Sequence, residues 1–140
     1  MDPASRKKTL LIVLLAVVLV LPFLLASSWG LGMLEDYACE HQPADWAANL
    51  DLDVAWFYGM SLRPEKKKEV CERFLETFKT HPQRGYATFM IATAIEADRD
   101  ASRQSAAQAY EFFLYQYGDD ANSKEYVPEA ERAVLRLRNR

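Results

Sequence analysis

From Thr9 to Leu34 the chain runs for 26 positions without a charge, TLLIVLLAVVLVLPFLLASSWGLGML. A bilayer's hydrocarbon core takes roughly 20 apolar residues of helix, so this run predicts a single membrane-spanning helix; Pro22 inside it is tolerated as in other membrane helices. Beyond Leu34 the pattern changes. Apolar residues recur three and four apart between short polar breaks, the mark of amphipathic helices. Four segments follow from this: a basic flank over 1–8, the span over 9–34, a juxtamembrane connector over 35–44 and a helical domain over 45–140.

The domain reads as about five helices. Asp45 is placed to cap the first, which runs to about Ser61 on a stripe of Trp46, Leu50, Val54 and Phe57, with Asp51 and Asp53 facing elsewhere. Pro64 and Glu65 suit the first turn of the second, which reaches about Thr80. Its stripe is Val70, Phe74 and Phe78, widened by Cys71 and Leu75, and Lys66, Lys67 and Lys68 form a solvent edge. The third, Gln83 to Ala97, is apolar almost all round and is expected to be the core helix. Asp100 or Ser102 starts the fourth, which carries Ala106, Tyr110, Phe113, Leu114 and Tyr117 and ends at Gly118, in the place of a left-handed cap. Pro128 opens the fifth, with Ala130, Val134, Leu135 and Leu137. Glycine is rare and no Asn-Gly or Asp-Gly hairpin turn occurs, so the fold class is all-α.

Two parts of this path repeat each other. Val70-Cys71-Glu72-Arg73-Phe74-Leu75-Glu76-Thr77-Phe78 matches Ala109-Tyr110-Glu111-Phe112-Phe113-Leu114-Tyr115-Gln116-Tyr117 at an offset of 39, and a Tyr follows each after a polar break, Tyr86 and Tyr126. Over Trp46 to Arg140 the chain resembles the tetratricopeptide-like helix-hairpin repeats of bacterial envelope proteins, most closely in the second copy, although the offset exceeds the usual 34 or so residues. The resemblance implies an array that binds proteins, as a property of the class; taken with the span, it gives the expectation of a chain of the bacterial inner membrane with its bulk in the periplasm. Two pairs and a closing helix are few for such an array, which usually needs about three repeats. Packing on the anchor, a disulfide or a partner is expected to supply the rest.

Charge sets the orientation. Arg6, Lys7 and Lys8 precede the span, and Glu35, Asp36 and Glu40 follow it, so the N-terminus is expected in the cytoplasm, with Trp29 as an interfacial aromatic. A secretory signal peptide cleaved near Ala26-Ser27-Ser28 is the competing reading; the apolar core from Leu10 to Leu25 is long for one, and the uncharged run continues past it. Beyond Leu34 the chain holds 14 basic and 19 acidic residues, which argues against nucleic acid as a partner. Arg132, Arg136, Arg138 and Arg140 at the tail read as a solvated helix end, with docking to an acidic partner or to lipid headgroups as the alternative.

Little in the chain points to catalysis or a cofactor. There is no nucleophile elbow, phosphate-cradling glycine loop, His-Glu metal helix or haem attachment site. Cys39 and Cys71 are the only cysteines. A disulfide between them would close a loop of about 33 residues, for roughly 3–4 kcal/mol; two buried thiols, or zinc with His41 and His81, are the other readings. The dense aromatics Trp56, Tyr58, Phe112 and Tyr115 are candidate partner contacts, since Tyr and Trp favour binding hot spots. The expectation is a non-catalytic, membrane-anchored accessory or scaffold subunit that meets other membrane-complex subunits and the lipid bilayer, without a small-molecule substrate. A freestanding periplasmic adaptor that recruits soluble proteins or peptides is the alternative.

Overall fold

The computed structural model describes residues 27–139 apart from 43, together with three isolated helical positions, Leu15, Val18 and Val20. Most of the predicted span, with Arg6, Lys7 and Lys8, lies outside the described residues, and no helix among the described residues is long and apolar enough to cross a membrane. Six helices follow one another without a strand among the described residues: α1 (Ser28–Glu40), α2 (Asp45–Met60), α3 (Pro64–Thr77), α4 (Arg84–Ala97), α5 (Arg103–Tyr117) and α6 (Val127–Arg138).

Local chemistry explains four of the helix starts; α2 and α4 start without a side-chain cap, and Asp45, expected to cap α2, lies inside its first turn after Ala44. The Ser27 hydroxyl accepts from the Gly30 amide at α1, and the Ser102 hydroxyl accepts from the Ser105 amide at α5. Pro64 and Pro128 occupy the first turns of α3 and α6, where a missing N–H costs nothing. Each helix packs on the next in the chain, and α2 also touches α4. The neighbours run antiparallel: Tyr58 of α2 reaches back to Glu35 of α1, Lys67 of α3 reaches Thr93 of α4, and Arg103 of α5 reaches the Arg136 carbonyl of α6.

The core forms two clusters. One joins α1 to α4 around Leu31, Leu52, Val54, Val70, Phe74 and Met90; the other joins α4 to α6 around Phe89, Ala92, Tyr110, Phe113 and Ala130. The repeated Phe74 and Phe113 are each fully buried, one per cluster. The core-helix expectation for α4 holds: it packs on α3 and α5, with Ala87, Phe89, Met90, Ala92 and Ala94 buried.

Several expectations are corrected. The sixth helix is α1, which the sequence reading divided between span and connector. Leu31 is buried, Leu34 packs on the same cluster and Glu35 binds Arg73, so 28–40 belongs to the stack and completes a third helix pair. On α2 the buried face is Ala47, Ala48, Asp51, Leu52, Val54, Ala55 and Tyr58, whereas Trp46 and Phe57 are exposed. Lying between α1 and α3, α2 buries two sides and selects small residues for close approach. Leu135 of α6 is exposed, and Ala133 is buried in its place. Gly118 is right-handed rather than left-handed, with its N–H on the Leu114 carbonyl at 2.9 Å. The left-handed position is Leu62, φ 55°, in the turn between α2 and α3. There the Arg63 N–H bonds the Tyr58 carbonyl and the Leu62 N–H the Gly59 carbonyl, a Schellman closure with leucine where glycine is usual.

Candidate functional site

A partly buried polar cluster clamps α1, α2 and α3 together. Arg73 donates to Glu35 Oε1 at 2.7 Å and to Asp51 Oδ1 at 3.3 Å. Gln42 Nε2 donates to Asp51 Oδ2 at 2.8 Å, and the Tyr58 hydroxyl donates to Glu35 Oε2 at 2.9 Å. Asp51 is fully buried, and that burial raises its carboxyl above the ordinary range while Arg73 and Gln42 pull it down. Burial and the Glu35 carboxylate push the Tyr58 phenol up to about 12. The cluster is thus a set of paired charges holding helices in register. Tyr58, a candidate partner contact, is a buried member of it at 3% exposure.

The exposed candidates fall on two surfaces. Trp56, half exposed, lines a groove of about 620 Å³ between the α2–α3 turn and the end of α4, with Met60, Leu62, Pro64, Lys67 and Ala97. Phe57 meets Trp56 edge-on, ring centroids 5.1 Å apart. Lys67 is turned inward here, donating to Thr93 Oγ1 at 2.7 Å, and burial lowers its pKa; only Lys66 and Lys68 form the expected solvent edge, beside Glu69 and Glu72. Phe112 and Tyr115 stand on the outer face of α5, Tyr115 at 85% exposure. Gln104, Gln108 and Gln116 share that exposed face, and its carboxylate, Glu111, is bound by Arg138.

Trp29, the expected interfacial aromatic, is 70% exposed in the first turn of α1. The two cysteines are free, which corrects the disulfide expectation: Cys39 is exposed on α1, whereas Cys71 lies in the core cluster of α3. Ala38, not Cys39, is the buried residue at that level of α1. Burial pushes the Cys71 thiol up to about 12 and raises that of Cys39 as well. His41 packs with Tyr37 and Trp46, and His81 with Phe74 and Phe78. No group of three or more His, Cys, Asp or Glu side chains among the described residues is arranged to hold a metal ion.

Sequence reasoning missed Asp51, Arg73 and Glu35. The available signal was Asp51 at helical spacing from Ala47, Ala55 and Tyr58, a carboxylate within a run of small and apolar residues. No protein-family model, curated protein or solved structure matches the chain.

Proposed function

We propose that this chain is a non-catalytic accessory subunit of a membrane protein complex. Its N-terminal apolar segment holds it in a bacterial inner membrane, the tetratricopeptide-like stack stands on the periplasmic side, and the outer face of α5 binds a partner protein. The observation that carries the reading is Tyr115 beside Phe112: two exposed aromatics on a well-packed helix, among glutamines, with the nearby carboxylate already paired. Aromatic-rich, charge-poor patches of this kind are the composition of protein interface cores. The uncharged stretch 9–26, and the exposed apolar side chains of Leu15, Val18 and Val20 within it, support the membrane attachment.

The test is purification of the full chain in mild detergent. A stoichiometric partner is expected to accompany it, and Phe112→Ser with Tyr115→Ser is expected to release that partner while changing unfolding stability by no more than about 0.5 kcal/mol per site, as for surface changes in general. A chain that washes off membranes in alkaline carbonate, or that leaves mild detergent alone, overturns the reading.

A further inference from the structure

The two ends of the stack differ in chemistry. Because neighbouring helices are antiparallel, one end gathers the start of α1, the α2–α3 turn, the α4–α5 turn and the close of α6. The half of the stack at that end, residues 28–34, 54–69, 91–107 and 133–139, holds 8 Lys and Arg against 5 Asp and Glu. The opposite half, residues 35–53, 70–90 and 108–132, holds 5 against 14. Lys67 of the first half is turned inward, which leaves an outward excess of two basic residues at one end of a domain that is acidic as a whole.

Apolar exposure leans the same way. Of the large apolar side chains exposed among residues 27–139, Trp29, Met33, Trp56, Phe57, Met60, Leu62 and Leu135 lie in the basic half, and Tyr37, Trp46, Phe112 and Tyr115 in the acidic half. The chain also enters the stack from this end, at Ser27, straight out of the uncharged stretch. The outward face of α1 is apolar at Trp29 and Met33 and becomes acidic only at Asp36 and Glu40, farther along the helix.

Leu62 adds an independent observation. It sits in a left-handed conformation that disfavours any side chain with a Cβ, and it is 89% exposed, so its side chain gives the fold almost no packing in return. The Schellman closure accounts for the backbone conformation but not for a leucine in it, and an exposed leucine where glycine would serve the fold points to a use outside the fold.

We infer that this end is the lipid-facing base of the stack, resting on anionic phospholipid headgroups. The inference rests on the membrane-held reading above and adds the orientation and the lipid chemistry. Arg63 and Arg99 supply the attraction, joined by Lys66, Lys68, Arg136 and Arg138 as they exchange their surface ion pairs with Glu69, Glu72, Glu96 and Glu111 for phosphates, against Glu65, Asp98 and Asp100 in the same half. Each Lys or Arg close to an anionic surface contributes roughly a fivefold preference, and the effect fades within a Debye length. Leu62, Met60 and Trp29 enter the headgroup layer, where leucine and tryptophan are favoured. The acidic half is repelled, which leaves Phe112 and Tyr115 above the lipid and open to protein.

The experiment uses the full chain in nanodiscs of phosphatidylcholine, with and without phosphatidylglycerol. A nitroxide is attached at Leu62→Cys, or at Asn122→Cys in the opposite half, in a Cys39→Ser background; the buried Cys71 stays unlabelled. Collision with a water-soluble nickel chelate is then measured. The label at 62 is expected to be several-fold more shielded than that at 122 in the anionic discs. The shielding should fall in pure phosphatidylcholine and in a Lys66→Glu, Arg99→Glu variant. Equal accessibility at 62 and 122 in anionic discs, in a chain that still resists a carbonate wash, overturns the orientation and leaves the anchored reading standing. Loss of the chain in the wash overturns both. Shielding at 62 that persists in a lipid-free detergent complex with a partner assigns this end to protein, and also overturns the inference.

Discussion

Asp51 and Arg73 meet across the α2–α3 interface, Oδ1 to Nη2 3.3 Å, with the carboxylate wholly withdrawn from solvent and the guanidinium shared with Glu35 of α1. Removing Arg73 strands a buried charge. Arg73→Met is expected to lower the unfolding free energy by about 3–5 kcal/mol, the usual cost of breaking a buried pair from one side. Asp51→Asn in the same chain should recover part of that loss, and urea unfolding of the double-mutant cycle measures it. Additive losses would mean that the two groups do not work as a pair.

The same carboxyl links stability to pH. Burial raises Asp51 above its unfolded value, so the folded state holds the proton more tightly than the unfolded chain. Its contribution is fullest below the ordinary carboxylate value and is lost as pH rises through the raised one. Asp51→Asn lacks that slope and should gain on the parent chain as pH climbs through this window. Unfolding at stepped pH reads the gap directly; a constant gap assigns the slope to other groups.

Gly85 marks the closest approach between the start of α4 and the loop before α6. A Cβ there would stand 1.8 Å from Ser123 Oγ and 2.9 Å from Ser123 Cβ. Ser123 has no room to retreat: it is fully buried and donates to Asp120 at 2.9 Å. Gly85→Ala should destabilise by about 1–3 kcal/mol through overpacking. Ser123→Gly in the same chain should relieve much of it, as thermal unfolding would show.

Leu62→Gly should have the opposite sign. Glycine takes the left-handed turn without a Cβ penalty, and little burial is lost, so a gain of about 1 kcal/mol in unfolding free energy is expected. A loss on denaturant titration would mean that the leucine side chain serves the fold itself.

The legible parts of this structure were local ones. Pro64, Ser102 and Pro128 mark helix starts because their chemistry acts within one turn, and the match of Phe74 to Phe113 exposed the repeated packing unit. What escaped depended on partners far along the chain. Nothing near Asp51 announces Arg73, which lies on another helix. The stripe of Trp46 and Phe57 competed with the true face of α2, because a helix packed on both sides hides alanines and exposes some large residues. Leu62 was invisible as a left-handed residue, since Ser61-Leu62-Arg63-Pro64 lacks the glycine that such a closure normally displays. For the candidate site, Phe112 and Tyr115 were within reach of sequence, whereas the sorting of charge by end required the antiparallel register to be known.

Within a single unbroken helix, α1 passes from an apolar opening turn to the carboxylate that grips Arg73. The opening turn, with Trp29 exposed on it, therefore moves with the clamp as one piece, and along α1 the stack rises about one helix length, roughly 20 Å, from Ser28.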